Sequence, residues 1–357
     1  MLKYYPQRNL KGETGIMNAI ILAGGEGTRL KSVTGDLPKP MVQLCGKPVL
    51  EHILNLLKRN GVTEICMALH YRPDVIRDYF GDGAAFGVRL RYHEESEQLG
   101  TAGGVRACAE FYGERDFLVI SGDCVCDFDL KSLMEAHHRH KSAATMALYA
   151  HEQPLQYGIV LTDRSDCVVS FVEKPDWSRV VSDLVNTGIY VLSPEAMRHV
   201  PEGVRFDFAK DLFPLLMERS YTIRAMQMEG YWCDIGTPRA YYQCCIDALE
   251  GRVRLEGAAG REPARPGGSG TSDGGSQRVC VCRSRARLMR TLSQALMEAG
   301  ADFSDGVTLE SGTGRVHIAP SPDREALTIS AQAADPAQSA SLAEDYLSLV
   351  KGLEAQI

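Results

Sequence analysis

The sequence predicts an α/β fold, a Rossmann-like and mostly parallel sheet, followed by a small C-terminal α+β domain. Three observations support this prediction. Short apolar runs alternate with helical patterns along the first part of the chain, and a glycine-rich loop directly follows the first of these runs. After a polar stretch rich in glycine and serine, the chain resumes with new helix and strand patterns. Alternating strands and helices are typical of parallel sheets covered on both faces.

The first domain contains five short apolar or β-branched runs that predict strands: Ala19 to Leu22, Glu64 to Ala68, Val88 to Tyr92, Phe117 to Ser121 and Ala144 to Leu148. The patterns between them predict helices: Pro48 to Asn60, Pro73 to Phe80 and Leu130 to Arg139. In such sheets, ligands bind outside the carboxyl ends of the strands. The glycine loop lies at such an end, after Leu22, and Asp123 lies at another, after the run from Phe117 to Ser121. We therefore expect them to share one crevice.

The segment from Gly158 to Thr187 is richer in strand patterns than the rest of the first domain. Two runs, Ile159 to Leu161 and Val168 to Glu173, have the β-branched and aromatic content of strands. They predict an antiparallel flap over the crevice.

The composition divides the chain into four parts. We predict a disordered extension over residues 1–16, a first domain over 17–250, a flexible linker over 251–278 and a second domain over 279–357. The linker includes Pro263 to Ser276, which is polar and rich in glycine. The second domain contains these helix and strand patterns: a helix from Arg283 to Gly300, strands at Val307 to Leu309, Val316 to Ile318 and Leu327 to Ala331, and a helix from Ser341 to Leu353.

Composition favours a soluble enzyme over a membrane protein or a nucleic-acid-binding protein. With 357 residues, 44% hydrophobic and 24% charged, the chain can form two domains with sizeable cores. No apolar run approaches the roughly 20 residues that span a membrane. Residues 1–16 lack the apolar core of a signal peptide, so we expect a cytoplasmic protein. The net charge of −7 argues against a nucleic-acid partner, and an anionic ligand would need local positive charge.

The stretch from Ile20 to Pro40, IILAGGEGTRLKSVTGDLPKP, is the most informative part of the chain. An apolar run ends there in a loop of three glycines, which is followed by Arg29 and Lys39. Glycines let backbone N–H groups approach a phosphate-rich ligand, and nearby cations neutralise its charge. The spacing is neither that of a Walker P-loop nor the GxGxxG of a dinucleotide site. A tight turn beside a surface Arg and Lys is the alternative interpretation.

This array, LAGG-x-GTRL followed by PKP, resembles the signature of the sugar-1-phosphate nucleotidylyltransferases. Further matches follow in that family's order: EESEQLGTAGGV at 94–105, SGDCVCDFD at 121–129, Tyr157-Gly158, Glu173-Lys174-Pro175, Asn186-Thr187-Gly188 and WCDIGT at 232–237. Together they cover roughly Met17 to Glu250. Ser32 departs from the pattern, because these proteins commonly carry a proline there. Losing that ring loosens the φ angle of the loop.

The resemblance implies transfer of a nucleoside monophosphate from a nucleoside triphosphate to a sugar 1-phosphate, with release of pyrophosphate. Because two anions must meet, such catalysis consists mainly of positioning and charge neutralisation. The family pattern assigns Arg29 to the triphosphate and leaving group, Lys39 to the transferring phosphoryl oxygens and Lys174 to the sugar phosphate. It assigns Asp123 and Asp234 to a Mg²⁺ ion, which prefers hard carboxylate oxygens.

The remaining contacts are assigned by the same resemblance. The nucleotide-binding residues that it implies are Leu22, Ala23, Gly24, Gly25, Gly27, Thr28, Gln98, Gly100, Thr101 and Gly103. The sugar-binding residues that it implies are Gly158, Glu173, Asn186 and Thr187. Asp127 and Asp129, near the metal motif, are expected instead to cap the helix that begins near Leu130.

The stretch LGTAGG favours GTP and mannose 1-phosphate as the substrates. Uridylyl-, adenylyl- and heptose-1-phosphate guanylyltransferases share much of this stretch and stay open as alternatives. A further alternative is a non-catalytic regulatory subunit that binds a nucleotide sugar. The intact charged set argues against it: Arg29, Lys39, Asp123, Lys174 and Asp234.

The second domain resembles the last domain of the phosphohexomutases. In that family, a loop of the form Arg-Pro-Ser-Gly-Thr-Glu-Pro holds the substrate phosphate. The matching stretch, Ala319 to Glu325, lacks the arginine and the Gly-Thr pair, and the sequence contains no serine-phosphate loop of the mutase type. We therefore expect a folded appendage or an interaction surface rather than a mutase. The sequence leaves homo-oligomerisation open.

Overall fold

The computed structural model describes residues 17–151, 153–173, 182–256, 276–282, 285–296, 301–302, 306–311, 313–321 and 326–355. The extension predicted over residues 1–16 lies outside this part of the chain, as does residue range 257–275 of the predicted linker. Among the helices that the structure describes, none combines the length and the apolar character needed to cross a bilayer.

The N-terminal domain, residues 17–256, alternates strands and helices. Its strands are β1 (Asn18–Leu22), β2 (Gln43–Leu44), β3 (Lys47–Pro48), β4 (Glu64–Leu69), β5 (Arg89–Glu94), β6 (Phe117–Ser121), β7 (Cys124–Cys126), β8 (Ala144–Ala150), β9 (Gly158–Thr162), β10 (Val168–Glu173), β11 (Leu184–Leu192), β12 (Ile223–Gln227) and β13 (Trp232–Asp234). Its α-helices are α1 (Lys31–Thr34), α2 (Val49–Arg59), α3 (Pro73–Phe80), α4 (Gly100–Ala107), α5 (Ala109–Tyr112), α6 (Leu130–His140), α7 (Pro194–Met197), α8 (Phe213–Glu218) and α9 (Pro238–Leu249).

A central sheet organises this domain, with the strand order β10-β9-β11-β6-β1-β4-β5 and with β8 joining β11 to β12. The four strands β6, β1, β4 and β5 run parallel, whereas β11 is antiparallel to β6. The predicted α/β class is therefore confirmed, and so is the antiparallel pairing of the two flap strands, which form the hairpin of β9 and β10. The position of this hairpin over the crevice stays a prediction. The sequence patterns missed β11 and β12.

Strand β1 shows why the sheet forms from this sequence. Ala19 and Ile21 point into one apolar cluster, whereas Ile20 points into a second cluster on the opposite face. All three side chains are fully buried. A strand buried on both faces needs a continuous apolar run, as parallel strands between two helix layers do. The carboxyl end of this strand then places the glycine loop at the edge of the sheet.

A two-stranded ladder beside the central sheet joins distant parts of the chain. Strands β7 and β13 are antiparallel, and Asp234 pairs with Cys124, the residue after Asp123. Asp127 supports this ladder, because its carboxylate accepts hydrogen bonds from the backbone N–H groups of Tyr231 (2.7 Å) and Arg254 (3.0 Å). The prediction that Asp127 caps a helix is therefore wrong. Its carboxylate satisfies backbone donors of a segment that is distant in sequence.

Asp129 does cap the helix that begins at Leu130, as predicted. Its Oδ1 accepts a hydrogen bond from the Ser132 N–H at 3.2 Å. The first N–H groups of a helix have no partner within the helix, so a side-chain acceptor stabilises its start.

The C-terminal domain is built from strands β14 (Ser276–Val281), β15 (Val307–Ser311), β16 (Gly314–Pro320) and β17 (Ala326–Gln332) and helices α10 (Arg285–Leu296) and α11 (Pro336–Glu354). The strands form an antiparallel sheet in the order β14-β17-β16-β15. Apolar residues of this sheet and of both helices share one core. Strand β14 begins at Ser276, inside the predicted linker. The sequence-based prediction missed this start because the first residues of the strand are polar and show no strand pattern.

We expect Asp129→Ala to lower the free energy of unfolding of the N-terminal domain by about 1 kcal/mol, the usual cost of losing an N-cap. Asp129→Asn keeps an acceptor oxygen and serves as the control, with a much smaller loss. Urea unfolding followed by tryptophan fluorescence monitors this domain, since both tryptophans of the sequence, Trp177 and Trp232, fall between residues 17 and 256. Equal stability of the alanine and asparagine variants would contradict the capping role.

Candidate active site

The glycine loop after β1 packs against the stem of Lys39. Gly27 has a φ of 67°, in the left-handed region, and a Cβ placed there would lie 2.7 Å from the Cβ of Lys39. An L side chain at Gly27 is disfavoured both by the backbone and by this contact. At Gly25, by contrast, a Cβ would meet no atom within 4 Å. The loop is thus closed towards Lys39 and open at Gly25.

Lys39 links two carboxylates that come from distant parts of the sequence. Its Nζ donates to Asp123 Oδ2 at 2.6 Å and to Asp234 Oδ1 at 3.2 Å. The lysine side chain is only 9% exposed, whereas the side chains of Asp123 and Asp234 are 37% and 33% exposed. The ammonium therefore lies beneath the two carboxylates, and both carboxylates keep access to solvent or to a ligand.

The charges in this cluster shift one another's pKa values. Burial by itself would lower the pKa of Lys39, but the Asp123 and Asp234 carboxylates outweigh it, and the pKa is raised above its usual value. Burial and, next, the charge of Asp123 raise the pKa of Asp234, against the opposing effects of Lys39 and Arg29. The cluster therefore contains a charged ammonium and a pair of carboxylates whose charges a further cation would stabilise.

The guanidinium of Arg29 and the carboxylate of Asp234 both lie close to Gly236. A Cβ built on Gly236 would lie 3.2 Å from the Arg29 Nη2 and 3.1 Å from the Asp234 Oδ2. Gly236 therefore leaves room for the guanidinium beside the carboxylate. The pKa of Tyr157 is raised by burial and then by the charge of Asp234, while Arg29 opposes the shift. The phenol of Tyr157 thus belongs to the same electrostatic environment.

A cleft of about 250 Å³ opens at this cluster. It is lined by Leu22, Ala23, Gly25, Gly27, Thr28, Arg29, Lys39, Pro40, Asp123 and Gly236. All but two of these, Pro40 and Gly236, were predicted site residues. Pro40 lies in the motif PKP and Gly236 in the motif WCDIGT, so these motifs could have identified both residues. Gly24, also predicted, is not among these lining residues, and a Cβ there would lie 3.2 Å from His70.

The carboxylate pair fits a divalent cation. Asp123 and Asp234 approach one common point, since both contact the same ammonium nitrogen. Magnesium typically binds one or two protein carboxylates together with waters and substrate phosphate. In the part of the chain that the structure describes, no group of three or more His, Cys, Asp or Glu residues forms a metal cage. A pair of carboxylates that shares its cation with a phosphate ligand agrees with that finding.

The segment predicted to bind the nucleobase is held by a second segment, Val204 to Asp207. The N–H groups of Ala102 and Gly103 both donate to the Phe206 carbonyl at 2.9 Å. At Gly100 and Gly103, a Cβ would lie 2.8 Å from the carbonyl oxygens of Phe206 and Val204. These two glycines therefore permit close packing of protein on protein, and their assignment to the nucleotide stays a prediction, as does that of Gln98.

Sequence reasoning missed Asp207. Its Oδ1 accepts from the Thr101 N–H at 3.2 Å and from the Thr101 hydroxyl at 3.1 Å. The Thr101 hydroxyl oxygen in turn accepts from the Phe208 N–H at 3.0 Å. Thr101, a predicted nucleotide contact, thus joins the start of α4 to a segment more than 100 residues later. No local pattern in the sequence pointed to this contact.

The predicted sugar-binding residues lie along the flap and β11. Gly158 begins β9 and pairs with Glu173 at the end of β10. Asn186 Oδ1 accepts from the Gly188 N–H at 3.1 Å and from the Tyr190 hydroxyl at 2.9 Å. Thr187 is only 3% exposed, and its hydroxyl donates to the Ala147 carbonyl at 2.7 Å. That placement favours a structural role for Thr187 over the predicted sugar contact.

Lys174, the third predicted catalytic cation, lies outside the described residues. Its assignment to the phosphate of the sugar substrate therefore stays a prediction.

Comparison with known proteins gives a family match and several relatives. Residues 18–250 match the family model described as nucleotidyl transferase. A UTP–glucose-1-phosphate uridylyltransferase of Synechocystis sp. is 34% identical over 264 residues, 70% of this chain and 68% of the relative. The mannose-1-phosphate guanylyltransferase catalytic subunit beta of Drosophila pseudoobscura pseudoobscura is 34% identical over 226 residues, 62% of this chain and 60% of the relative.

A solved structure agrees with these matches. The crystal structure of HddC from Yersinia pseudotuberculosis, complexed with GMP-PN, is 33% identical with a TM-score of 0.57 and covers 65% of this chain and 99% of that chain. Of the two curated relatives, by contrast, the matched part of this chain spans only 68% and 60% of the length. Its C-terminal domain lies beyond the family match, which ends at residue 250.

We expect Gly27→Ala to lower the thermal unfolding midpoint of the N-terminal domain. A left-handed φ costs an L residue about 1–2 kcal/mol, and the new Cβ collides with Lys39. The control is Gly25→Ala, whose Cβ meets open space and whose stability should change by less than about 0.5 kcal/mol. Thermal unfolding of the two variants without ligand makes the comparison, and equal midpoints would contradict the predicted packing.

We expect Lys39→Met to make stability depend on divalent cations. Methionine keeps an apolar stem against Gly27 but removes the ammonium between Asp123 and Asp234. The unfolding midpoint without metal should fall by about 2 °C or more, the shift that about 1 kcal/mol produces in a domain of this size. Adding Mg²⁺ should raise the midpoint more in the variant than in the wild type. An identical Mg²⁺-induced rise in both proteins would show that Lys39 is not the internal counter-ion.

Proposed function

We propose a function for this chain, which belongs to the nucleotidyl transferase family. The protein transfers a nucleoside monophosphate from a nucleoside triphosphate to a sugar 1-phosphate and releases pyrophosphate. The observation that carries this proposal is the contact of Lys39 with both Asp123 and Asp234, beside Arg29 and the glycine loop. This cluster places cations and a carboxylate pair at the carboxyl ends of strands, where α/β sheets bind ligands.

In the proposed reaction, an oxygen of the sugar 1-phosphate attacks the α-phosphorus of the triphosphate. The bond between that phosphorus and the oxygen leading to the β-phosphate breaks, and its electron pair leaves with pyrophosphate. No proton needs to be moved in the transfer, since nucleophile and leaving group are both phosphate oxygens. The protein must therefore overcome repulsion between two anions and align them, which is the electrostatic and positional form of catalysis.

The residues of the cleft supply these requirements. The loop between Leu22 and Thr28 gives the triphosphate a surface with little side-chain bulk. Arg29 neutralises the departing pyrophosphate. Lys39 is held charged by its two carboxylate partners and neutralises the phosphoryl group that is transferred. Lys174 is assigned to the sugar phosphate by the family pattern.

A divalent cation completes the charge balance. Asp123 and Asp234 would hold it, and we propose Mg²⁺ because its preferred ligands are hard oxygen atoms. When bound, such an ion neutralises phosphate charge and orients the phosphate oxygens.

For the substrates, we propose GTP and mannose 1-phosphate. The guanylyltransferase relative from Drosophila pseudoobscura pseudoobscura supports this choice, as does the HddC structure complexed with GMP-PN. The uridylyltransferase of Synechocystis sp. is equally identical and favours UTP and glucose 1-phosphate as the second candidate pair. Sites that pair the polar groups of a ligand discriminate strongly between analogues, so one pair should dominate.

The direct test is pyrophosphate release from a matrix of four nucleoside triphosphates against several sugar 1-phosphates, with Mg²⁺. We expect turnover with GTP and mannose 1-phosphate to exceed every other combination. Faster turnover with UTP and glucose 1-phosphate would establish the second candidate. A protein that binds these ligands and releases no pyrophosphate with any combination would overturn the transferase proposal.

We expect Arg29→Ala to lower kcat by on the order of a hundredfold, which is typical for the loss of one preorganised electrostatic group. The control is Lys31→Ala, since Lys31 lies two residues further on with a side chain that is 58% exposed. Steady-state kinetics with the best substrate pair measure both variants. Similar kcat values for Arg29→Ala and the wild type would remove Arg29 from the mechanism.

A further inference from the structure

The core of the C-terminal domain extends into the N-terminal domain. Its apolar cluster joins the sheet of β14 to β17 with helices α10 and α11. The same cluster contains Ile159, which is fully buried, and Leu155 and Val172 pack against it. These three residues belong to β9, β10 and the turn before β9. The C-terminal domain is therefore docked on the flap.

The register of the flap shows which face is covered. Ile159 and Val172 lie directly opposite one another in the β9–β10 pair, so their side chains share one face. The next pair, Val160 and Phe171, lies on the other face and packs into the core of the N-terminal domain. The hairpin is thus held between two apolar cores, one from each domain.

The central sheet holds this hairpin at two places. The turn between β9 and β10 bonds to β12, where the Asp166 carbonyl accepts from the Ala225 N–H at 2.9 Å. Strand β9 pairs with β11 only through Ile159 and Val185 within the described residues. A two-stranded hairpin alone is at best marginally stable in water. Without the C-terminal domain, Ile159 and Val172 would expose apolar surface. Docking of that domain therefore adds to the order that β11, β12 and the core of the N-terminal domain give the hairpin.

The pair that the C-terminal domain covers, Ile159 and Val172, lies next to the proposed sugar site. Gly158 and Glu173, both assigned to the sugar, form the pair adjoining Ile159 and Val172. Tyr157 precedes Gly158, and the centroid of its ring lies 5.2 Å from that of Trp232, on the strand β13 that ends at Asp234. The end of the hairpin thus lies beside the strand that carries Asp234, while the neighbouring pair, Ile159 and Val172, is held by the C-terminal domain.

We propose that the C-terminal domain positions the sugar-binding end of the flap, and that Ile159 is the positioning residue through which it acts. This inference rests on the proposed transferase function. A displacement of about 1 Å in a positioning element can cost about a hundredfold in rate. Since the flap carries sugar contacts and the glycine loop carries nucleotide contacts, loss of docking affects the sugar substrate selectively.

The test compares variants in the full-length chain. Ile159→Asp places a carboxylate in the shared core, and Ile159→Val is the conservative variant that keeps an apolar contact. The matched control is Val169→Asp on β10, since Val169 is 56% exposed. Tryptophan fluorescence reports whether the N-terminal domain of each variant is folded. If Ile159→Asp fails to fold, Val172→Ser takes its place, because Val172 contributes to the same face.

Two readouts are measured for each variant. The first is the pair of KM values for the sugar 1-phosphate and for the nucleotide. We expect Ile159→Asp to raise the sugar KM by about tenfold, with the nucleotide KM changed by less than about twofold. The second is amide hydrogen exchange over residues 158–162 and 168–173, which should accelerate in Ile159→Asp. In Ile159→Val and Val169→Asp, both readouts should stay near wild type.

An unchanged sugar KM in Ile159→Asp, or equal increases in both KM values, would overturn the positioning role. Unchanged hydrogen exchange in the flap would overturn docking itself. A wild-type protein with no turnover on any substrate pair is a different failure, because it refutes the transferase proposal. Hydrogen exchange in the flap would then still decide whether the C-terminal domain orders the hairpin.

Discussion

The contact of one lysine with two aspartates is the constraint on which the arrangement of the cleft depends. Lys39 lies 84 residues before Asp123 and 195 residues before Asp234, yet its ammonium contacts both carboxylates. Two carboxylates so close together repel unless a cation lies between them. The strand ends, the glycine loop and the β7–β13 ladder all converge on this point. The folded chain thereby keeps its own counter-ion where anionic reactants are to be bound.

Small residues let the charged groups of the cluster approach one another. Gly27 lies against the stem of Lys39, and Gly236 lies between Asp234 and the guanidinium of Arg29. A side chain at either position would push a charged group out of place. Asp127 contributes from outside the cluster, since its carboxylate binds the backbone N–H groups of Tyr231, just before β13, and of Arg254, after α9. The geometry is thus set by glycines within the cluster and by backbone hydrogen bonds around it.

Local patterns predicted the features that depend on neighbours in sequence. The strands of the parallel sheet were predictable because burial on two faces requires uninterrupted apolar runs, as in β1. The capping role of Asp129 was predictable because an N-cap lies next to its own helix. Asp207 and Asp127 were not, since their partners lie about 100 residues away and only the folded chain brings them together. Thr187 matched a motif, but its hydroxyl is used within the sheet.

The bonds that join α4 to the segment Val204–Asp207 have a consequence for anion binding. The start of a helix normally offers free N–H groups and a partial positive charge, which many proteins use to bind phosphate. Here the N–H groups of Thr101, Ala102 and Gly103 are already bonded to protein oxygens. The helix dipole at α4 is therefore used for internal structure. Affinity for a phosphate ligand depends instead on the glycine loop and on the charged side chains of Arg29 and Lys39, so it should fall as ionic strength rises.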